Sequence, residues 1–177
     1  ENTPCKPASS ASIKTASTAR AEQLSAEVCL GTDMMTHVTI RPAERADLEP
    51  IISLLRVLYK NDVGQELSGL VQEYLDSPSH LVLLAMRDRP IGVLIGSYRL
   101  DIDYECRAGL VDAIVVEESV RNQGIGRNLV RAFTRWARRR GCTMLQVVNP
   151  NEGFFEALGF KERPMRFQQM PIEEIEA

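Results

Sequence analysis

The chain has 177 residues, of which 44% are apolar, with a net charge of −3 and a pI near 5.5. That size holds one domain, or one domain and a tail, and the charge excludes a protein that coats a polyanion with its whole surface. No apolar run approaches the ~18 residues of a membrane span. None of the four cysteines, Cys5, Cys29, Cys106 and Cys142, forms a C-x-x-C pair, so free thiols in a reducing cytoplasm are expected.

The opening "ENTPCKPASSASIKTASTAR" is rich in Ser, Thr, Ala and Pro. It offers too little apolar surface to offset the entropy of ordering it. Residues 1–34 are therefore expected to be a flexible extension, 35–170 the folded domain, and 171–177 an acidic tail. "HVTIRPA" has strand composition. "DLEPIISLLRVLY" spaces Leu48, Ile51, Ile52, Leu55 and Leu58 as a helix does, with Asp47 as N-cap and Pro50 in the first turn. "GQELSGLVQEYLDSP" predicts a second helix with Leu67, Leu70, Val71 and Tyr74 on one side. "HLVLLAMR" and "PIGVLIGSYRL" are strands joined by the hairpin signal "DRP", and "AGLVDAIVV" is a third after the turn "DIDYEC". "RNLVRAFTRWARRR" is a helix with an apolar stripe of Leu129, Val130, Phe133, Trp136 and Ala137, stopped at Gly141. "TMLQVVN" is a strand, "NEGFFEAL" a short helix closed by Gly159, and "FKERPMRFQQM" a last strand. The order β-α-α-β-β-β-α-β-α-β predicts an α/β fold on a mixed, mostly antiparallel sheet flanked by helices.

Between the strand "LVDAIVV" and the following helix stands "EESVRNQGIG". Amides at a helix N-terminus carry the positive end of its dipole and hold phosphate oxygens. Gly124 and Gly126 let a backbone turn tightly and approach a ligand, and Arg121 and Arg127 add charge. The G-x-x-x-x-G-K-[ST] loop of nucleotide hydrolases is absent. The dinucleotide pattern G-x-G-x-x-G fails because Leu129 stands at its third glycine. What remains is a pyrophosphate cradle or a tight turn whose arginines face solvent.

"RNQGIG" after such a strand resembles the [QR]-x-x-G-x-[GA] signature of the GNAT superfamily of acetyl-CoA-dependent N-acetyltransferases, with Arg121, Gly124 and Gly126 in the fixed positions. "NEGFFEALGF" is similar to the family's N-x-x-[FY]-Y-x-x-x-G-F segment, through Asn151, Phe154, Gly159 and Phe160. "TIRPAERADLEPIISLL" resembles its opening strand and helix. The resemblance spans residues 36 to 168 and implies the GNAT fold, with acetyl-CoA as co-substrate. It implies that the loop Arg121, Asn122, Gln123, Gly124, Ile125, Gly126 and Arg127 holds the pyrophosphate. The edge of Ile114, Val115 and Val116 would bind the pantetheine and the thioester carbonyl, because the family splays this strand at a bulge. Asn151 and Phe154 would line the CoA arm. Tyr59, Asn61 and Asp62 fall where the family walls its substrate cleft.

The chain departs from the family at Phe155, where many members carry a tyrosine that protonates the departing thiolate. Tyr98 and Tyr104 are the substitutes, and also candidates for binding substrate; both also read as ordinary strand and turn tyrosines. Asp112 is the expected general base, since an acid inside the apolar "LVDAIVV" is costly unless used or paired. Glu105 and Asp103 are the alternatives. Cys106 and Cys142 lack a histidine partner and read as structural thiols, His37 and His80 are isolated, and no metal spacing occurs. Arg138, Arg139 and Arg140 fit a helix end favoured by the dipole. The expected activity is acetyl transfer from acetyl-CoA to a primary amine of a small molecule or peptide by direct attack. Acids near 101–105 suggest a cationic acceptor. Neither nucleic acid nor membrane is expected as a partner, and a homodimer is compatible with the sequence. The alternative activities are a catalytically silent acyl-CoA-binding regulator and a nucleotide-binding module.

Overall fold

In the computed structural model, residues 38–58, 66–148 and 153–162 are described. Five strands form one sheet in the order β1-β2-β3-β4-β5, with β1 at Thr39–Pro42, β2 at His80–Met86, β3 at Pro90–Asp101, β4 at Cys106–Val116 and β5 at Met144–Val147. The first three pairings are antiparallel and β4–β5 is parallel. Helices α1 (Leu48–Leu58), α2 (Leu67–Asp76) and α3 (Ile125–Arg139) cover the sheet. This is the mixed, mostly antiparallel α/β arrangement that the element order predicts. Two late elements differ or fall outside. "NEGFFEAL" contributes one 3₁₀ turn, Glu156–Leu158, and most of the expected last strand lies outside the described residues. The extension and tail calls, 1–34 and 171–177, also lie outside them.

The helix faces follow from residue spacing. Ile125, Leu129, Phe133 and Trp136 recur every three or four positions, so α3 buries one stripe on Leu94 and Val111 of the sheet. On the opposite face, Ile51 and Leu55 of α1 and Val71 of α2 pack on Val82, Val93 and Ile95. Fully burying one such large side chain stabilises by about 1.5–3 kcal/mol. The expected N-cap Asp47 closes a 3₁₀ turn, Arg45–Asp47, ahead of α1. Its carboxylate accepts from the Glu44 N–H at 2.8 Å and from the Arg41 guanidinium at 2.7 and 2.8 Å. Among the described residues no helix is long and apolar enough to cross a membrane.

The feature that shapes the site is a slip in the β3–β4 register. Ile95 faces Ala113 but Gly96 faces Val111, so Asp112 is the extra residue of a β-bulge. A bulge turns two successive side chains to one face and bends the strand. Here Ala113 joins the α1–α2 core, and Asp112 stands on the same side beside Tyr74 of α2. Gly96, opposite the bulge, carries the Phe133 ring. A Cβ there would lie 2.6 Å from the Leu110 carbonyl oxygen and 2.6 Å from the ring. Gly96→Ala should therefore lower stability by about 1–3 kcal/mol, the usual range for overpacking. A thermal melt would check this, and an unchanged midpoint would mean that the ring has room to move.

Candidate active site

Beyond the bulge β4 loses a neighbour. Its parallel ladder with β5 runs from Ala108↔Met144 to Val111↔Val147 and ends there. Past the bulge residue Asp112, the stretch from Ala113 to Val116 keeps β3 on one side and has no strand on the other among the described residues. This stretch leaves backbone groups free to bind an extended ligand, as an open sheet edge does. Ile114 and Val116 pack toward α3, while Val115 is buried on the other face.

The edge leads into the loop. Glu117 donates its N–H to the Ile91 carbonyl at 3.0 Å, and its carboxylate pairs with Arg89, which fixes the end of β4. Arg121 donates its Nε–H to the Val116 carbonyl at 3.1 Å, and Gln123 accepts from Arg87 at 3.2 Å. Asn122 and Gly124 take left-handed φ values of 62° and 77°. Gly124 is the N-cap of α3, its carbonyl accepting the Asn128 N–H at 3.0 Å. The amides that follow it have no carbonyl a turn earlier in the helix, so they are free to meet an anion. A Cβ on Gly124 would meet nothing within 4 Å, so the space above this loop is open. The first turn of α3 holds no acidic residue and does hold Arg127, so nothing offsets the positive end of the dipole. A pyrophosphate fits this cradle in shape and in charge.

The two sequence motifs meet here. A Cβ on Gly126 would lie 3.0 Å from Cζ of Phe154 and 3.9 Å from Cδ1 of Ile114. Gly126 thus lets the Phe154 ring lie against the start of α3, beside the open edge. Phe155, the next residue, is buried in the α3-side core against Phe160, at a ring separation of 5.2 Å. Arg127, Arg131, Thr134, Leu145, Leu158 and Phe160 line an open groove of about 300 Å³ between α3, β5 and the Glu156–Leu158 turn.

At the start of the edge stands Asp112. It is exposed, yet enough protein surrounds the carboxyl to push its pKa upward by desolvation. Opposing that shift are hydrogen bonds from Ser97 and Tyr74 and the electrostatic influence of His80 and Arg99. His80 is thus not isolated: its Nδ1 lies 2.6 Å from Ser77 Oγ and 3.1 Å from Ser79 Oγ, and its ring meets Tyr74 edge-on at 4.3 Å. Tyr74, His80 and Ser97 are absent from the sequence-derived site. Tyr74 reads as part of the core stripe of α2, and only the fold brings β2, β3 and α2 to the bulge.

The other expected residues lie apart. Tyr98 faces α3, against Trp136 and under Arg107, on the opposite side of the sheet from Asp112. Tyr104, Asp103 and Glu105 belong to the β3–β4 turn, where the Tyr104 N–H donates to Asp101 at 3.3 Å. Along the strand that turn is roughly 20 Å from Asp112, at about 3.3 Å per residue. Asp101 itself is buried and already accepts from Gln146 at 2.6 Å, with Arg99 at 3.6 Å. Tyr59, Asn61, Asp62 and Asn151 lie outside the described residues. Among the described residues no group of His, Cys, Asp and Glu is placed to hold a metal.

Comparison with known proteins gives a consistent family. The profile of the acetyltransferase (GNAT) family matches residues 48–160. An aminoglycoside N(6')-acetyltransferase type 1 from Klebsiella aerogenes is 34% identical over 113 residues, covering 59% of this chain and 73% of the relative. Among solved structures, the aminoglycoside N-acetyltransferase AAC(6')-Iy in complex with CoA superposes with a TM-score of 0.70 at 23% identity, covering 80% of this chain and 99% of that one. A transcriptional regulator from Bacillus halodurans superposes with a TM-score of 0.65 at 24% identity, covering 77% and 100%. At such identities the two structures speak for the fold alone.

Proposed function

Because the chain belongs to the acetyltransferase (GNAT) family, whose co-substrate is acetyl-CoA, we propose that it acetylates a primary amine of a polycationic small molecule of the aminoglycoside class by direct attack. One observation carries this reading: the strand edge that lacks a partner runs from an acid at its start to an anion cradle at its end. The cradle around Gly124 binds the pyrophosphate through the first amides of α3. Phe154 lines the CoA arm, and the edge Ile114–Val116 pairs with the pantetheine. An amide of that edge donates to the thioester carbonyl and stabilises the oxygen as charge develops on it. Asp112 takes a proton from the amine, which frees the nitrogen lone pair to attack. As the amide bond forms, the nitrogen sheds its second surplus proton to water, the carbon–sulfur bond breaks, and CoA departs as a thiolate. Phe155 supplies no proton to it, being a core ring. A reducing cytoplasm suits the free thiols of Cys106 and Cys142.

The class of the acceptor rests on the Klebsiella relative and on the acid at the site. Peptide amines are the competing acceptors. A panel of aminoglycosides, polyamines and peptides, each mixed with acetyl-CoA and followed by release of the CoA thiol, tests the proposal. Aminoglycosides are expected to be turned over with the highest kcat/KM. Turnover confined to peptides would reject the class, and CoA binding with no turnover of any amine would favour the silent binder.

A further inference from the structure

Asp112 is unusual in how it is held. It is the surplus residue of a bulge, so no cross-strand neighbour of β3 stands opposite it. Its orientation depends on side chains reaching it from elsewhere, and two do: the Ser97 hydroxyl from β3 and the Tyr74 hydroxyl from α2. Ser97 is fixed by the strand pairing, where it stands between His80 and Leu110. Tyr74 is not in the sheet and needs bracing of its own. The His80 ring supplies it, edge-on at 4.3 Å, and His80 is in turn held at Nδ1 by Ser77 at 2.6 Å and Ser79 at 3.1 Å. Ser77 is the C-cap of α2, so the same short segment ends the helix that carries Tyr74 and pins the ring that braces it.

We infer that Tyr74 is a positioning residue for the acetyl-transfer reaction, its hydroxyl aiming the Asp112 carboxylate into the cleft from a ring braced by His80, Ser77 and Ser79. The inference rests on Asp112 being the base. A tyrosine suits this task better than a lysine or arginine would. A cation hydrogen-bonded to Asp112 in place of Tyr74 would form an ion pair and leave it a poorer base, whereas a neutral hydroxyl orients one oxygen and leaves the other for the amine. The titratable and charged groups facing Asp112 are Tyr74 from α2, His80 from β2 and Arg99 from β3, with the neutral donor Ser97 beside them. Removing a donor to the ionised form raises a carboxyl pKa. The sign is therefore fixed: loss of the Tyr74 hydroxyl must move the titration of Asp112 to higher pH.

Tyr74→Phe keeps the ring and its contact with His80 and removes only the hydroxyl. The titration of the Asp112 carboxyl carbon, followed by NMR in the full chain, should move up by about one pH unit, the effect of one donor to a carboxylate. Ser97→Ala should move it in the same direction. This readout needs neither acceptor nor turnover. An unmoved midpoint in Tyr74→Phe overturns the inference even if Asp112 proves to be the base. With acetyl-CoA and the aminoglycoside sisomicin as substrates, kcat should fall about tenfold, less than the ~10²–10⁴-fold expected for loss of the base itself. The KM for acetyl-CoA should not change, and the acid limb of the profile should shift upward. If Asp112→Asn leaves kcat intact, the base reading fails and the positioning role with it. If Asp112→Asn abolishes turnover while Tyr74→Phe leaves both kcat and the limb in place, the positioning role alone fails.

Discussion

Asp112→Asn is expected to lower kcat by about 10²–10⁴-fold, the range of a general base. CoA affinity should barely change, because the phosphate cradle begins five residues past the end of the bulged stretch, after Val116. The acid limb of the pH–rate profile should vanish. Stability moves the other way. Desolvation raises the pKa of Asp112 in the fold, so the folded state holds that proton more tightly than the unfolded chain does. The stabilising contribution is complete below the unfolded pKa and is lost as the pH rises through the folded one. At neutral pH the ionised carboxylate therefore costs stability, and an asparagine, neutral and able to hydrogen-bond Tyr74 and Ser97, removes that cost. The thermal midpoint of the variant should rise at pH 7 and match the parent in acid. A fall at pH 7 with kcat preserved would make Asp112 a structural partner only.

The second large effect is expected at Gly124. Its φ of 77° lies in the left-handed region, and a Cβ there would project into the open space proposed for the pyrophosphate. Gly124→Val combines the two penalties. A non-glycine residue in that conformation costs on the order of 1–3 kcal/mol, and a β-branched side chain also blocks the approach. The strain falls on the fold, the blocked approach on the ligand, and calorimetric titration should show CoA binding weakened by roughly 10- to 100-fold, at about 1.4 kcal/mol per factor of ten. Core packing at Phe133 and Trp136 lies along the far turns of α3 and should be untouched. Unchanged affinity in a folded variant would remove the pyrophosphate reading of this loop.

The fold was legible wherever one residue spacing dominated. The stripe Leu129, Phe133, Trp136 leaves no choice but a helix, and the runs around Leu83 and Leu94 leave none but strands. The loop was legible because its chemistry is local: two glycines and their arginines stand within seven residues of one another, and Gly124 and Gly126 each have a distinct geometric reason to be glycine. Asp112 could be singled out as an acid in an apolar strand. That it is the surplus residue of a bulge could not, because a bulge is a relation between two strands, and neither strand alone marks it. The same holds for its neighbours. Ser97, His80 and Tyr74 come from three elements, and each looks ordinary within its own. Tyr98, expected as a stand-in for the tyrosine that Phe155 replaces, shows how strand alternation decides a residue's face: it is turned to α3 and into contact with Trp136.

The most direct measurement of the central claim is the product formed by the full chain from acetyl-CoA and sisomicin. Mass spectrometry of the product, run beside a count of released CoA thiol, should give one acetylated amine per thiol. The product should resist hydroxylamine, as an amide does and an ester does not, and about 10²–10⁴-fold less of it should form with Asp112→Asn in the same time. Thiol release that does not depend on the amine, or a product that hydroxylamine cleaves, would contradict direct acetyl transfer to nitrogen at this site.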